Sequence, residues 1–386
     1  MRKSRLSLLI AAAVGLAGCG SQNSGGGVET AQPAQPAAAP AQPAGERVVN
    51  MYNWSDYIAE DTMDNFRKES GIRVVYDVFD SNETLEAKLV TGGSGYDIVV
   101  PSLSFLGRQI QAGVFQELDR SKLKNYGNLD PVLMERIAQT DPGNKHAIPY
   151  LWGTTGIGYN VAKIKEVLGA DFTVESWSMV FEPETMAKLA SCGVTFLDTP
   201  SEMIPTVLTY LGENPNSFDE AVIEKGAAKF EGIRQHVRYY HSSQYINDLA
   251  NGDICVAVGW SGDIFQARDR AAEAANGVEI GYVIPKEGAV MWFDMMALPK
   301  DAKNVEEAYA LMDYLLRPEV MAPIQDYVSY ASGNAAALPL ISAELRDNKA
   351  VYPPDDVKAK LFTLAVLPPE VDRLYTRVWT RLKTGR

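Results

Sequence analysis

The chain has 386 residues, 49 of them acidic and 36 basic, with a formal net charge of −13 and 46% hydrophobic residues. Phosphate backbones are bound by clustered Lys and Arg, so this balance excludes nucleic acid as a partner and favours attraction of a small cation. The length exceeds what one hydrophobic core usually supports and predicts two lobes.

In chain order, Arg2, Lys3 and Arg5 precede an apolar run over 6–16, and Leu-Ala-Gly-Cys follows at 16–19. The run is too short for a spanning helix and reads as a secretory signal peptide over 1–18. Its ending resembles the bacterial lipobox, which implies cleavage before Cys19 and lipidation of that thiol. Removing 1–18, which carry three basic groups and no acid, takes the charge to −16. Residues 21–45 are rich in Gly, Ser, Ala, Gln and Pro, with no aromatic residue and Glu29 as their only charge. Such a stretch cannot bury enough apolar surface to offset its ordering entropy, so 19–45 reads as a lipidated Cys followed by a disordered linker, with a reach of about 50–75 Å.

The folded part starts near residue 46. A strand is expected over 48–52, a helix from Asp61-Thr62 to Gly71, a strand over 73–79, a helix capped by Ser81 and Asn82 through about 91, and an apolar strand over 96–101. Strands and helices alternating in this way imply an α/β fold, a parallel sheet with right-handed crossovers and helices on both faces. Ligands of such sheets bind beyond the carboxyl ends of the strands. Trp54, Ser55, Asp56 and Tyr57 follow the first strand, Asp80 the second and Ser102 the third. Further on, a strand over 194–197 leads to a helix starting near Ser201 and carrying Glu202. Another over 254–259 ends at Trp260-Ser-Gly-Asp263, and Trp292 and Asp294 lie inside the β-like run 290–298. Three of the six tryptophans thus have an aspartate two or three residues downstream. Chance alone would give about two in a chain this acidic, so placement is what carries weight. A ring face beside a carboxylate suits an alkyl ammonium ion.

Residues 147–159 are strand-like but interrupted by glycines, which fits either strands crossing between lobes or two strands joined by a turn. A second extended segment, 278–285, would carry the chain back. Two crossings make a hinged pair of lobes with a cleft between them. The expected division is 46–153 and 283–335 for lobe 1, 154–282 for lobe 2, and 336–386 for C-terminal helices packing on both. With Cys19 lipidated, Cys192 and Cys255 remain; an even pair in an exported protein suggests a disulfide, with two buried thiols as the alternative.

Four segments carry a family resemblance: 52–58 (Tyr-Asn-Trp-Ser-Asp-Tyr-Ile), 149–159 (Pro-Tyr-Leu-Trp-Gly-Thr-Thr-Gly-Ile-Gly-Tyr), 245–256 (Tyr-Ile-Asn-Asp-Leu-Ala-Asn-Gly-Asp-Ile-Cys-Val) and 259–263 (Gly-Trp-Ser-Gly-Asp). The chain resembles the polyamine-binding receptors of bacterial ABC importers, two-lobed periplasmic solute-binding proteins, over nearly everything after the linker. The resemblance implies a cleft with aromatic residues Trp54, Tyr57, Trp260, Trp292, Tyr309 and Tyr330, acids Asp56, Glu202, Asp263 and Asp294, and hydroxyls Ser55, Ser102 and Ser242. It also implies a disulfide between Cys192 and Cys255, and putrescine or spermidine as ligand. Permease subunits with a separate ATPase would be the partners, and the receptor would work as a lipid-anchored monomer in the periplasm. Trp292 stands where putrescine receptors commonly have Phe, which resembles the spermidine-preferring members.

Each of these residues has a plainer use: the aromatics as core, Asp56 and Asp263 as helix caps, Glu202 as a partner of a helix dipole, the serines as turn formers. No catalytic motif stands out and no cofactor is expected: His236 and His241 lack H-E-x-x-H spacing, and neither a phosphate-binding Gly-Lys-Ser/Thr nor Gly-x-Ser-x-Gly occurs. The rivals are a secreted glycosidase, which also uses tryptophan platforms and paired carboxylates, and a receptor for a sugar or an amino acid. An amino-acid carboxylate calls for Arg or Lys, and the segments around Trp54, Ser102, Trp260 and Trp292 contain neither. Carboxylates crowded in a dry slot repel, so the empty cleft is expected to stay open until a cation allows closure.

Overall fold

The computed structural model describes residues 45–385. The signal peptide, Cys19 and the linker up to residue 44 lie outside the described residues.

The strands are β1 (Val48–Trp54), β2 (Arg73–Phe79), β3 (Ile98–Val99), β4 (Ala147–Asn160), β5 (Val194–Phe196), β6 (Val237–Tyr240), β7 (Val256–Trp260), β8 (Ile280–Val283), β9 (Ala289–Ala297), β10 (Ala331–Ser332) and β11 (Leu361–Phe362). The helices are α1 (Thr62–Ser70), α2 (Asn82–Val90), α3 (Leu103–Gln111), α4 (Pro131–Ile137), α5 (Val161–Leu168), α6 (Ser178–Phe181), α7 (Pro183–Leu189), α8 (Pro200–Tyr210), α9 (Glu220–Ile233), α10 (Tyr245–Asn251), α11 (Ser261–Glu273), α12 (Val305–Leu315), α13 (Pro318–Val328), α14 (Ala343–Arg346), α15 (Asp355–Lys358) and α16 (Pro369–Thr384).

The expected β-α-β-α-β start is present. β1 is buried along almost its whole length, as a strand covered on both faces must be. α1 ends at Gly71, whose φ of 71° lets its N–H reach Arg67 O. α2 begins at Ser81, whose hydroxyl accepts from Thr84 N at 3.2 Å. β3 is shorter than the expected 96–101, because Asp97 is drawn into side-chain bonds with Asn50, Lys303 and Asn304.

The strand order is β2-β1-β3-β9-β4-β7-β5-β6. The outer strands are parallel: β2, β1 and β3 on one side, β7, β5 and β6 on the other. The two parallel blocks meet through a centre that is antiparallel. β9 runs antiparallel to both β3 and β4, and β4 antiparallel to β7 and β8. β4 and β9 are the long central strands, which run past one another in opposite directions and join the two parallel blocks. β4 is one continuous strand of 14 residues, which decides between the two alternatives. Its first part, through Thr154, pairs with β9, and from Thr155 onward it pairs with β7 and β8.

A third stretch joins the two lobes near the cleft. β11 pairs with β9, Asn216 Nδ2 donates to Thr363 O at 2.9 Å, and a side chain at Gly107 would strike Val366. α16 packs on α8 and α9, burying Val371, Leu374, Tyr375, Val378, Trp379 and Leu382 on one face. Cys192 and Cys255 form a disulfide with Cα atoms 5.4 Å apart, tying the turn after α7 to the start of β7.

Candidate functional site

Three carboxyls face a cavity between the two sheet halves, and different elements bring each one in. Glu202 occupies the first turn of α8, Asp263 the first turn of α11, and Asp294 the middle of β9. All three side chains are at most 6% exposed. Each is held by two neutral donors. Glu202 accepts from Thr155 Oγ1 at 2.6 Å and from Trp260 Nε1 at 3.2 Å. Asp263 accepts from the Tyr245 and Tyr330 hydroxyls, both at 2.7 Å. Asp294 accepts from Ser102 Oγ at 2.6 Å and Tyr57 Oη at 2.8 Å. Asn82 Nδ2 in turn donates to Ser102 Oγ at 2.9 Å and fixes that hydroxyl.

Burial pushes each of the three carboxyls up to about 7, and the hydrogen bonds pull back against it. Asp294 is raised further by Glu202 and Asp263, and Asp263 by Asp56. The lining contains no Lys, Arg or His, and the one cation that acts on these carboxyls is Arg270, which lies outside it and pulls Asp263 back down.

Aromatic rings form the walls. Trp54 meets Trp260 edge-on at 5.4 Å, Trp260 meets Trp292 at 6.5 Å, and Trp292 meets Tyr330 at 5.2 Å. Tyr330 in turn meets Tyr57 at 5.2 Å. This chain of rings passes from one lobe to the other, so the cleft is shut. Two glycines make room for it. A Cβ at Gly153 in β4 would lie 2.7 Å from the Trp292 ring, and one at Gly262 in α11 would strike the Tyr330 ring. The cavity comprises about 440 Å³ free of protein atoms, part of it open to solvent. Trp292 also borders a neighbouring hollow of about 430 Å³ beside Arg136 and Thr363, and its buried Nε1 has no hydrogen-bond partner.

Of the residues singled out in the sequence, Trp54, Ser55, Tyr57, Ser102, Glu202, Ser242, Trp260, Asp263, Trp292, Asp294 and Tyr330 line this cavity. Two do not. Tyr309 lies on α12, where its hydroxyl accepts from Asp119 N at 2.6 Å and Lys122 lies over its ring; α12 packs on the β1 side of the sheet, away from the cleft. Asp56 is outside the lining, with φ at 53°, and its Oδ1 accepts from Arg270 Nη2 at 2.6 Å. Gln266 Nε2 donates to the Asp56 carbonyl at 3.1 Å beside it. The plainer use of Asp56 and Asp263 as helix caps does not apply, because α11 has Trp260 at its N-cap and Asp56 precedes no helix turn.

Asp80, which the sequence placed at the end of the second strand without a site role, also lines the cavity, as do Phe79, Ser243 and Ile246, which sequence reasoning left out. It also left out Tyr245 and Thr155, which hold two of the carboxyls. Tyr245 opens the 245–256 motif and Thr155 lies within 149–159, so both were in view, but only spatial proximity gives them a role.

The chain matches the family described as bacterial extracellular solute-binding protein over residues 61–353. It is 58% identical over 345 residues to the putrescine-binding periplasmic protein PotF of Escherichia coli (strain K12), covering 89% of this chain and 93% of that one. It is 54% identical over 343 residues to the putrescine-binding periplasmic protein SpuD of Pseudomonas aeruginosa (strain UCBPP-PA14), covering 89% and 94%. Its fold is similar to a solved structure described as a spermidine/putrescine ABC transporter of Listeria monocytogenes, with a TM-score of 0.79 and 32% identity over 88% of this chain and all of that one.

Proposed function

The chain belongs to the bacterial extracellular solute-binding proteins, and from that premise we propose that it is a receptor, not an enzyme, that captures putrescine or spermidine and delivers it to the permease of an ABC importer. The observation that carries this reading is a cavity with three buried carboxyls, a continuous aromatic wall and no basic side chain in its lining. Its occupant must supply positive charge at more than one point and alkyl surface between those points, which describes a linear polyamine. The names of the PotF and SpuD relatives support the same ligand class.

In this reading Trp54, Tyr57, Trp260, Trp292 and Tyr330 receive the methylene chain and the faces of the ammonium groups. Glu202, Asp263 and Asp294 receive the N–H donors, while Ser55, Ser102 and Ser242 add hydroxyls. Asp56, expected among the acids of the site, is paired with Arg270 outside the lining and has no part in this ligand set. Each cation–π contact is worth about 0.5–2 kcal/mol and each charge-assisted hydrogen bond about 1.5–3 kcal/mol. A few of each exceed the cost of ordering a flexible ligand by enough for micromolar affinity, about −8 kcal/mol.

The lobes are proposed to divide where β4 changes partners, 46–153 with 283–335 against 154–282, with 336–386 bracing both. A cation that relieves repulsion among the carboxyls would hold the lobes shut, and the shut form would be what the permease recognises. We also assign the mature chain to the periplasm, held to a membrane by lipid on Cys19 and working as a monomer. Calorimetry with putrescine, spermidine, maltose and an amino acid tests the ligand class. Binding of either polyamine with no heat from the other two solutes is expected; heat with maltose alone, or hydrolysis of a sugar, overturns the reading.

A further inference from the structure

Glu83, in the first turn of α2, lies outside the cavity lining and is half-buried, with its carboxyl turned inward against α8. Its Oε1 accepts from Ser201 Oγ at 3.1 Å across the cleft, while its Oε2 is buried and has no hydrogen-bond partner. Ser201 immediately precedes Glu202 in the first turn of α8, so whatever holds Ser201 also places Glu202.

The charged groups around Glu83 do not favour an anion there. From α3, the Arg108 guanidinium is already engaged by Glu86 and by Asp372 of α16. From α8, Glu202 contributes a like charge, and Glu86 on α2 and Asp80 just before it are acidic as well. Burial raises the Glu83 carboxyl to about 7 and outweighs the opposing pull of its own main-chain N–H, of Ser201 and of Arg108, while Glu202 adds to the rise. With Oε2 out of contact with water and without a side-chain donor, the neutral acid loses less on burial than the carboxylate does, although its O–H also finds no acceptor there.

We propose that Glu83 is a positioning residue for capture, docking α8 across the cleft through Ser201 as the neutral acid, so that closure on the ligand takes up one proton from solvent. The proposal rests on the polyamine reading above. With the lobes apart Glu83 is wet and ionises in the ordinary carboxylate range. The penalty for closing on it is then absent below that range, accrues as pH rises, and is complete above about 7. The three cavity carboxyls escape this penalty in the complex because ammonium groups pair with them, whereas Glu83 has no such partner.

The test is calorimetry of putrescine and spermidine at pH 5.5, 7.0 and 8.5 on the unaltered protein, Glu83→Gln and Ser201→Ala, with melting curves as a fold control. Gln keeps the shape and removes the titration. The ratio of Glu83→Gln affinity to unaltered affinity is expected to grow about tenfold between pH 5.5 and 8.5, a change that a merely structural role would not produce. Ser201→Ala is expected to weaken capture at each pH. A ratio independent of pH, a ratio that falls as pH rises, or a Ser201→Ala protein with unaltered affinity overturns the proposal while leaving polyamine capture standing. Absence of heat with either polyamine in the unaltered protein overturns both.

Discussion

Replacing Asp263 with Asn removes one charge and almost no volume, and the surroundings of Asp263 set the outcome. Its two oxygens accept from Tyr245 and Tyr330, both at 2.7 Å, and each tyrosine oxygen already receives one main-chain N–H, from Trp260 at 3.2 Å and from Asp263 itself at 3.1 Å. Each phenol oxygen therefore retains acceptor capacity. An amide can accept from one hydroxyl and donate to the other, at the cost of leaving that hydroxyl's proton and one amide N–H without an acceptor, a loss set against the burden of the buried charge. Without ligand, the carboxyl itself is a burden. Burial raises it to about 7, so its contribution to stability is full below its ordinary range and lost as pH rises through about 7. At pH 8 the neutral amide should therefore leave the ligand-free melting temperature unchanged or higher. Binding should behave oppositely, because an ammonium facing an amide loses a charge-assisted bond of about 1.5–3 kcal/mol, roughly 10- to 150-fold in Kd. Calorimetry with putrescine and spermidine at pH 8, paired with melts with and without ligand, measures both. Unaltered affinity for both polyamines would remove Asp263 from the site, and a ligand-free melting point lowered by about 10 °C would show that its charge serves the fold.

The remaining predictions concern closure and selectivity. Glu202, Asp263 and Asp294 all rise to about 7 in the shut cleft, so the ligand-free protein should be compact at pH 5 and more open at pH 8.5, where spermidine should restore compactness. Small-angle scattering reads this, and equal radii in all three conditions would refute it. Trp292→Phe gives up no hydrogen bond, since Nε1 has no partner, but it shrinks the ring between the cavity and the neighbouring hollow. The ratio of spermidine to putrescine affinity should fall about two- to fivefold, the worth of a weakened cation–π face, and a constant ratio would show that length is read elsewhere. Gly262→Ala drives a methyl into the Tyr330 ring, which must shift and loosen its bond to Asp263. A loss of about tenfold or more in polyamine affinity is expected by calorimetry, in line with a lost hydrogen bond to a charged group, and unaltered binding would show that Tyr330 is free to move.

Much of the architecture is legible locally because it depends on neighbours in the chain. Gly71 ends α1 through a positive φ, Ser81 caps α2 with its own hydroxyl, and alternation within β9 puts Trp292 and Asp294 on one face. Strand ends leading to Trp54, Glu202 and Trp260 follow from the same short-range signals. Acidic composition alone points to a cation. Length alone indicates more than one core.

Tertiary structure decided the partnerships, and it rearranged the Trp–Asp pairs that stand out in the sequence. Asp56 leaves Trp54 and pairs with Arg270, which is seven residues beyond Asp263 on the same face of α11 but at the cleft rim. Trp260 donates to Glu202, which is 58 residues away, and Asp263 is held by Tyr245 and Tyr330. Asp294 is held by Ser102 and Tyr57, from segments about 190 and 240 residues earlier. Tyr309 falls on the far side of the sheet. Sequence by itself therefore determined which residue types occupy strand ends and that their sum is strongly negative, because secondary structure and composition are short-range properties. Which donor meets which carboxyl depends on how β4 and β9 bring the two lobes together, and no local pattern encodes that distance.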